Sequence, residues 1–431
     1  MAVAGDATQG PETQVNAGGR PRLFTRAVVG ITVLNLIFFS LYLLYFPTLP
    51  FFIEKLGGDK GEIGALIGVS SLTSLLVRPF VGYLVDTAGR RPMLIAGMLL
   101  FAVNCLLYNL PHSPAAIFPI RLLTGASIAT FMTAASTYIA DAAPAARRGE
   151  AMAYYGVANS MAFAIGPAVG GFVIHTDLLA GFDSSLTSQA GWSSGARTGE
   201  LHFTALFVLS AAMASLAAAG ALLFLPPGRK PPADGRLPRA GALFSRTAAL
   251  PAVINFTSSF AFAAMVSFLP LFARDRGITN PGLLFSLYAA MLLIFRLLSG
   301  RLMDTLPRHY FITPGIAALA VSLLIVASPG PSFLLFVAMG VYGVGTGAFQ
   351  PAMMAYLVDR TEETVRGRAL STFTLGNDLG LSLGSFILGA IIQAADYRAA
   401  YIFGAAVAAA GAAIFALYNA REMRTAAARA N

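Results

Sequence analysis

The chain has 431 residues, of which 56% are hydrophobic and only 11% are charged. A soluble domain carries about 25% charged residues, so this chain has too few of them to cover a water-facing surface. The composition therefore excludes an ordinary soluble protein. The single cysteine, Cys105, excludes an intramolecular disulfide and a zinc cluster built from cysteines.

The first 22 residues are polar and rich in Gly, Ala, Thr and Pro. They lack the apolar core of a cleavable signal, so we expect residues 1–22 to form a disordered cytoplasmic tail. The first membrane helix is then expected to act as its own uncleaved insertion signal.

Twelve apolar stretches follow, each long enough to cross a bilayer as a helix, which takes roughly 20 residues. Most connections between them are short, which makes consecutive helices antiparallel neighbours. The sequence therefore predicts an all-α integral membrane protein with twelve transmembrane helices. The predicted spans are residues 26–52, 62–84, 92–110, 115–141, 150–175, 202–225, 247–272, 282–302, 310–328, 332–358, 367–393 and 398–419.

The basic residues are distributed unevenly between the two sides that these spans define. Of the 29 Lys and Arg, 20 lie on the side that carries both chain termini and six lie on the other. Cytoplasmic loops carry an excess of Lys and Arg, so the asymmetry predicts a cell-membrane protein with both termini in the cytoplasm. It also accounts for the net charge of +9 without a nucleic-acid partner.

The chain repeats itself at an offset of 218 positions, at which Arg78 and Gly82 reappear as Arg296 and Gly300. Shared glycines and charges at one offset indicate two related halves, and residues 226–246 combine prolines with five positive charges, as expected of an extended connection. Two such halves in lipid are typical of a transporter that rocks around a central site. We therefore expect two pseudo-symmetric six-helix bundles, at 23–226 and 247–420, a cytoplasmic linker at 227–246 and a cytoplasmic tail at 421–431.

The turn between the second and third spans contains a dense motif at residues 82–92. Gly89 is suited to a positive backbone torsion in so short a turn, and Pro92 to the first turn of the next helix. Asp86 either caps a neighbouring helix or, if its contacts exist in only one packing of the two halves, belongs to a latch.

Residues 82–91 match every specified position of G-x-L-x-D-x-x-G-R-[RK], and with this motif the chain resembles the major facilitator superfamily over roughly residues 25–420. In that family the segment stabilises the outward-open state. The second copy of the motif has lost its second glycine. The resemblance assigns the gating role to Gly82, Asp86, Gly89, Arg90 and Arg91, and to Gly300, Asp304 and Arg308 in the second copy.

Arg121 lies about two turns into the fourth span, where an ionisable group costs about 3 kcal/mol or more unless it is paired or hydrated. It is therefore a functional candidate. With Gly125 it resembles the family's second motif, R-x-x-x-G, whose arginine is associated with proton coupling. The structural alternative is an arginine that reaches the membrane interface or binds backbone carbonyls.

The fifth span contains Gly166, Pro167, Gly170 and Gly171 in the order G-P-x-x-G-G. Proline frees a backbone carbonyl, and glycines four residues apart allow another helix to approach closely. Close packing alone would explain the pattern. The segment also resembles the core of the family's antiporter motif, which occurs in exporters more than in importers, although alanines replace the motif's earlier glycines.

Asp378 is the only carboxylate near the middle of a predicted span, and Asn377 precedes it. The equivalent position in the first half is Ser160, so only one half carries the charge. Burial favours the protonated form of a carboxyl group, and we expect Asp378 to exchange protons or to contact a cationic substrate. A neutral acid that is hydrogen-bonded between helices is the structural alternative.

Polar side chains are concentrated in the first, fourth, seventh and tenth spans, whereas the sixth and twelfth are mostly Ala, Leu and Phe. Polar groups in lipid need partners or water, so the first four are expected to surround a cavity, as the corresponding helices do in the family. That cavity is expected to be aromatic and hydroxyl-rich, with little fixed charge. The candidate lining residues are Asn35, Tyr42, Tyr45, Tyr138, Asn159, Asn255, Tyr342 and Gln350.

These features predict a proton-coupled secondary transporter, most simply an efflux antiporter for a small organic compound such as a drug, sugar or metabolite. The expected partners are the substrate, protons and the lipid bilayer; no cofactor is expected, and the protein is expected to work as a monomer. An importer in the same fold is the nearest alternative, and a transport-dead membrane sensor is an alternative of another class. The sequence contains neither H-E-x-x-H nor G-x-x-x-x-G-K-[ST], which argues against an enzyme.

Overall fold

The computed structural model describes residues 23–144, 147–175, 202–227, 245–303, 305–362 and 365–430. Within these residues all regular structure is helical, and twelve segments are long and apolar enough to cross a membrane. This confirms the predicted fold class and the number of spans. Span 1 consists of the helices Arg26–Leu43 and Tyr45–Lys55, and spans 2 to 12 are Lys60–Ala88, Arg90–Leu107, Phe118–Ala142, Arg148–His175, Phe203–Phe224, Ala249–Asp275, Gly282–Met303, His309–Ala327, Phe333–Asp359, Arg366–Ala394 and Tyr397–Ala430.

Two segments that the sequence assigned outside the bundles have different outcomes. Residues 1–22 and 228–244 lie outside the described residues. The segment 421–431, expected to be a tail, instead continues span 12 as far as Ala430. Its alanines favour helix, and Arg360 fixes the helix through two hydrogen bonds of 2.7 Å to the carboxylate of Glu422.

Span 1 is interrupted at Leu44, between its two helices. Prolines cause the interruption, because Pro47 has no N–H to donate to the carbonyl of Leu43. Thr48 satisfies the next carbonyl with its side chain, whose hydroxyl donates to the backbone oxygen of Leu44 at 3.0 Å.

Gly89 alone joins span 2 to span 3. Its φ of +101° lies in a region that L side chains rarely adopt. This confirms the positive backbone torsion predicted for the turn.

The two six-helix lobes repeat the same internal contacts at the offset of 218 residues. Gly125 of span 4 packs on the backbone of Ser70 in span 2, and its equivalent Gly343 of span 10 packs on Tyr288 in span 8. A Cβ at these glycines would lie 2.2 Å and 2.4 Å from the respective carbonyl oxygens. Helix pairs correspond in the same way: span 1 contacts spans 5 and 6, and span 7 contacts spans 11 and 12. The predicted pseudo-symmetry of the two bundles is thus present in the packing.

The lobes meet where span 2 contacts span 11 and where span 5 contacts span 8. Glycines allow both crossings to be close. A Cβ on Gly64 would lie 3.0 Å from the Cα of Gly389, and one on Gly171 would lie 3.2 Å from the Cα of Gly282. The two crossings are pseudo-symmetry equivalents, since 64 and 171 become 282 and 389 at the offset of 218.

The lobes are joined at one end of the molecule and diverge towards the other. We call the end where span 2 finishes and both ends of the linker lie the linker face, and the opposite end the loop face. At the loop face, Arg274 of span 7 donates to the carboxylate of Glu54 in span 1 at 2.5 and 3.2 Å, which joins the two lobes. Towards the linker face, Arg90 pairs with Asp141 of its own lobe at 2.8 Å and with no side chain of the other lobe among the described residues. The structure is therefore closed at the loop face and open towards the linker face.

Candidate functional site

A cavity of about 340 Å³ lies between the lobes. Eight spans line it: spans 1, 4, 7 and 10, as the sequence predicts, and also spans 2, 5, 8 and 11. Spans 6 and 12 contribute none of its lining, in agreement with their apolar composition. Six of the residues proposed from the sequence line the cavity: Tyr42, Asn159, Tyr342, Gln350, Asn377 and Asp378.

Aromatic rings cross the cavity from one lobe to the other. Phe46 of span 1 lies 6.2 Å from Phe163 of span 5 and 6.2 Å from Phe262 of span 7, measured between ring centroids. On the far side, Tyr288 lies 5.8 Å from Tyr342. Most of these contacts are tilted or edge-on, as aromatic pairs prefer. The cavity therefore offers flat aromatic surfaces, as the sequence predicts.

An ion pair between the lobes lies at the wall of the cavity. Nη2 of Arg78 in span 2 lies 3.0 Å from Oδ2 of Asp378 in span 11. The side chain of Asp378 is only 10% exposed, and that of Arg78 is 27% exposed. Asn377 donates to the second oxygen of the carboxylate at 3.4 Å. Among the described residues, Asp378 is the one carboxylate in the cavity wall, and its ion pair connects the two lobes.

A second arginine takes the equivalent position on the other side. Arg296 of span 8 donates from Nη1 to the hydroxyl of Ser160 in span 5, and to the carbonyl of Gly156 at 3.4 Å. At the offset of 218, Arg78 becomes Arg296 and Ser160 becomes Asp378. The two contacts are therefore pseudo-symmetric, but only one of them is an ion pair.

The arginines correct the prediction of a cavity with little fixed charge. The sequence did not single out Arg78 and Arg296 as site residues, because each lies towards the end of its predicted span, 62–84 or 282–302, where arginine commonly reaches headgroups. The internal repeat could have identified the two arginines. Arg78 and Arg296 are separated by 218 positions, and so are Ser160 and Asp378.

Amide side chains support both walls of the cavity. Asn35 donates to Oδ1 of Asn159 at 2.6 Å, and Ser259 donates to Oδ1 of Asn377 at 2.7 Å. Asn35 is therefore a support behind the cavity wall rather than part of the lining.

Three further candidate lining residues also lie away from the cavity lining. The hydroxyl of Tyr45 donates to the sulfur of Cys105 at 3.1 Å within the first lobe. Tyr138 donates to the carbonyl of Pro226 at 2.9 Å, and Asn255 donates to the carbonyl of Phe373 at 3.0 Å. Each side chain joins segments of one lobe, because a buried polar group in lipid needs a partner.

Arg121 is buried inside the first lobe and binds the backbone of span 2. Its guanidinium donates to the carbonyl of Leu66 at 2.7 Å, to that of Ile67 at 3.2 Å and to the hydroxyl of Ser70. Arg121 lines a small side cavity of about 20 Å³ next to the central one. Its backbone contacts match the structural alternative; its role in proton coupling stays a prediction.

The gating turn lies at the linker face and is engaged within its own lobe. Arg90 donates from Nε to Asp141 at 2.8 Å and lies 3.8 Å from Asp86, whose side chain is 62% exposed. The equivalent pair, Arg308 and Asp359, is 3.4 Å apart. Arg91 donates to the carbonyl of Leu222, and Asp304 lies outside the described residues.

The glycines of span 5 serve close packing in two directions. A Cβ on Gly166 would lie 2.7 Å from the carbonyl oxygen of Ser40, and one on Gly170 would lie 2.4 Å from that of Leu44, where span 1 is interrupted. This confirms the predicted close approach of another helix. Gly171 and the carbonyl of Pro167 face span 8 of the other lobe, at Gly282.

The chain matches proteins of one family over most of its length. The profile of the family described as Major Facilitator Superfamily matches residues 30–283 and 252–430. Multidrug resistance protein 1 of Bacillus subtilis is 26% identical over 357 residues, which cover 80% of this chain and 85% of that protein. Multidrug resistance protein 2 of the same organism is 34% identical over 130 residues, which cover 30% of this chain and only 32% of that protein.

A solved structure has the same fold. The crystal structure of a point mutant of the nucleoside transporter NupG superposes with a TM-score of 0.72 at 15% sequence identity, and the match covers 91% of this chain and 99% of that one.

Proposed function

This chain belongs to the Major Facilitator Superfamily, and we propose that it is a proton-coupled antiporter that exports a small organic compound from the cytoplasm. Its family and fold are those of multi-pass membrane transporters rather than enzymes. The names of its relatives in Bacillus subtilis refer to multidrug resistance, which supports export. The excess of Lys and Arg around the linker supports a cytoplasmic linker face, towards which the cavity opens.

The ion pair between Arg78 and Asp378 is the observation on which the coupling mechanism depends. It joins span 2 to span 11, two helices that also meet at the closed loop face. While it is intact, it holds the lobes in the arrangement that is open to the cytoplasm. An empty, unprotonated transporter therefore stays in that arrangement.

Two ligands can release this ion pair, and only one of them can do so at a time. A proton on Asp378 removes the charge that holds Arg78. A substrate donor group that binds the carboxylate displaces Arg78 instead. Because proton and substrate compete for Asp378, each loaded form can cross to the outward-open state, and the transporter exchanges one for the other. This competition is the condition for antiport.

The proposal can be tested by transport in proteoliposomes. We expect the wild-type protein to accumulate fluorescent aromatic compounds, from a panel that includes ethidium, against their gradient when the vesicle interior is acid. Asp378→Asn is expected to lower this accumulation at least about tenfold, since the variant cannot alternate between charged and neutral forms. Exchange of compound across the membrane without a pH gradient should survive.

Asp396→Asn is the matched control. Asp396 lies at the start of span 12, where its carboxylate accepts from the N–H of Ala399 at 2.7 Å, and asparagine can make the same contact. The control should retain accumulation. Movement of compound and protons in the same direction would establish the importer instead, and the absence of flux for every compound would favour the sensor.

A further inference from the structure

The pseudo-symmetry of the lobes reveals one unmatched charge in the cavity. Arg78 and Arg296 are equivalent, and each reaches across the lobe interface to an equivalent position on the opposite lobe. Arg78 meets the carboxylate of Asp378 there at 3.0 Å, whereas Arg296 meets the hydroxyl of Ser160. One arginine has a counter-ion supplied by the protein, and its equivalent has a neutral hydroxyl group.

The contacts of Arg296 within the described residues leave most of its hydrogen-bonding capacity free. Both contacts, to Ser160 and to the carbonyl of Gly156, are made by Nη1 alone. A guanidinium carries five N–H donors, and a partly buried cation without a counter-ion is costly at this depth. Arg296 and Ser160 both line the cavity, so a molecule bound in the cavity can reach this guanidinium.

We propose that the exported compound carries an anionic group, a carboxylate in the simplest case, which binds Arg296 beside Ser160. This inference rests on the proposed function, because it concerns the substrate of the same cavity. The anion takes the place that the carboxylate of Asp378 takes in the other half of the repeat. A guanidinium can hold a carboxylate by two parallel hydrogen bonds. The hydroxyl of Ser160 donates to the carbonyl of Gly156 at 3.1 Å, so the guanidinium supplies the donors for the anion.

The surroundings define the rest of the compound. Tyr288 lies two helical turns from Arg296 on the same span, and its ring is 6.1 Å from that of Phe163. A flat aromatic body attached to the anion would therefore lie against these rings. A basic nitrogen at its other end would compete with the proton and with Arg78 for Asp378. A compound with an anion for Arg296, an aromatic body and a basic nitrogen for Asp378 is an aromatic zwitterion.

The test compares acids with their methyl esters, which keep the aromatic body and remove the negative charge. Benzoate, 1-naphthoate and the fluoroquinolone norfloxacin would each be paired with its ester, and binding to the purified full-length protein would be measured by titration calorimetry. We expect at least one acid to bind about 10- to 100-fold more tightly than its ester, the range typical of a charge-assisted hydrogen bond. Equal binding within every pair would overturn the proposal.

Three variants test whether the anion binds at Arg296. Arg296→Gln should abolish the preference for the acid, and Arg296→Lys should keep part of it. Ser160→Asp should also abolish it, because the new carboxylate gives Arg296 the counter-ion that Arg78 already has. Arg421→Gln, at an exposed position of span 12, is the control and should bind like the wild type. A full preference for the acid in Arg296→Gln would show that the anion binds elsewhere and would overturn the proposal.

The outcome is separable from that of the proposed function. Proton-driven export of the esters without any preference for the acids would overturn the anion site and leave the antiporter intact. A strong preference for an acid that Arg296→Gln abolishes, without proton-driven flux of any compound, would support the anion site and contradict the antiporter.

Discussion

Asp378 and Ser160 occupy equivalent positions in the two lobes, and this difference makes the cavity electrostatically asymmetric. Asp378 pairs with Arg78 across the lobe interface, and the carboxylate is the more buried partner, with 10% of its side chain exposed. Removal of one partner of such a pair leaves an uncompensated buried charge, which costs about 3–5 kcal/mol, whereas removal of both leaves none. The loss of one partner is therefore expected to destabilise the inward-open arrangement more than the loss of both.

This predicts a non-additive double-mutant cycle. Arg78→Gln and Asp378→Asn should each lower the unfolding temperature more than the double variant does, with a coupling of about 1–3 kcal/mol. Thermal unfolding in detergent micelles, followed at several scan rates, would measure it. Strictly additive effects would mean that the two side chains contribute independently and that the ion pair does not hold the lobes together.

The sequence indicated part of the site at this scale, for identifiable reasons. Asp378 stood out because a carboxylate deep in a span is rare, and Tyr42, Asn159, Tyr342 and Gln350 because polar groups in lipid need partners. Tyr45, Tyr138 and Asn255 met the same criterion but satisfy it within one lobe. Sequence alone does not show which face of a membrane helix points inwards, since lipid and protein interior are both apolar.

At the scale of the helices, glycines determine how closely spans approach. The twelve spans and the turn at Gly89 were predictable, because apolar length and a glycine in a one-residue connection leave few alternatives. The interruption of span 1 at Leu44 was not predicted, although Pro47 and Pro50 lie within the predicted span. Pro47 causes the interruption locally, but the helix that packs against it is distant in sequence, since Gly170 of span 5 lies directly on Leu44.

Gly125 and Gly343 allow a direct prediction about this packing. Either one replaced by Ala should lower stability by about 1–3 kcal/mol, because the added methyl group meets a backbone carbonyl that cannot rotate away. The unfolding temperature in micelles would report the loss.

Gly220→Ala is the matched control, since a Cβ there meets no atom within 4 Å. It should be neutral or stabilising by about 0.5–1 kcal/mol, as expected for Gly to Ala in a helix. Equal effects at all three positions would show that helix propensity rather than close packing decides the outcome.

At the scale of the whole molecule, the contacts between the lobes are distributed unevenly. They extend from Glu54 and Arg274 at the loop face to the two arginine contacts at the cavity, whereas Arg90 at the linker face is engaged within its own lobe. The sequence predicted two lobes and a gating turn. It did not predict which end would be closed, because one sequence encodes both arrangements.

Glu54→Gln or Arg274→Gln should therefore shift the population towards opening at the loop face. The side chain of Arg274 is 47% exposed, so the pair contributes up to about 1 kcal/mol and the shift should be about fivefold or less. Spin labels at His112→Cys and Thr279→Cys, in a Cys105→Ala background, would report the distance between the lobes at the loop face.

Arg360→Gln is the control for this measurement. Its bidentate pair with Glu422 lies within one lobe, and its loss should leave the distance distribution unchanged. An unaltered distribution in both Glu54→Gln and Arg274→Gln would exclude their ion pair as a determinant of the closed loop face.

The glycine crossings between the lobes have a consequence for the origin of the fold. Gly64 meets Gly389, and Gly171 meets Gly282. Span 2 therefore packs on span 11, the equivalent of span 5, and span 5 packs on span 8, the equivalent of span 2. A chain of only six spans that carried both glycines would present each surface together with its complement. Two identical copies could then associate about a twofold axis through these same contacts, and the interface would predate the fusion of the two halves into one polypeptide.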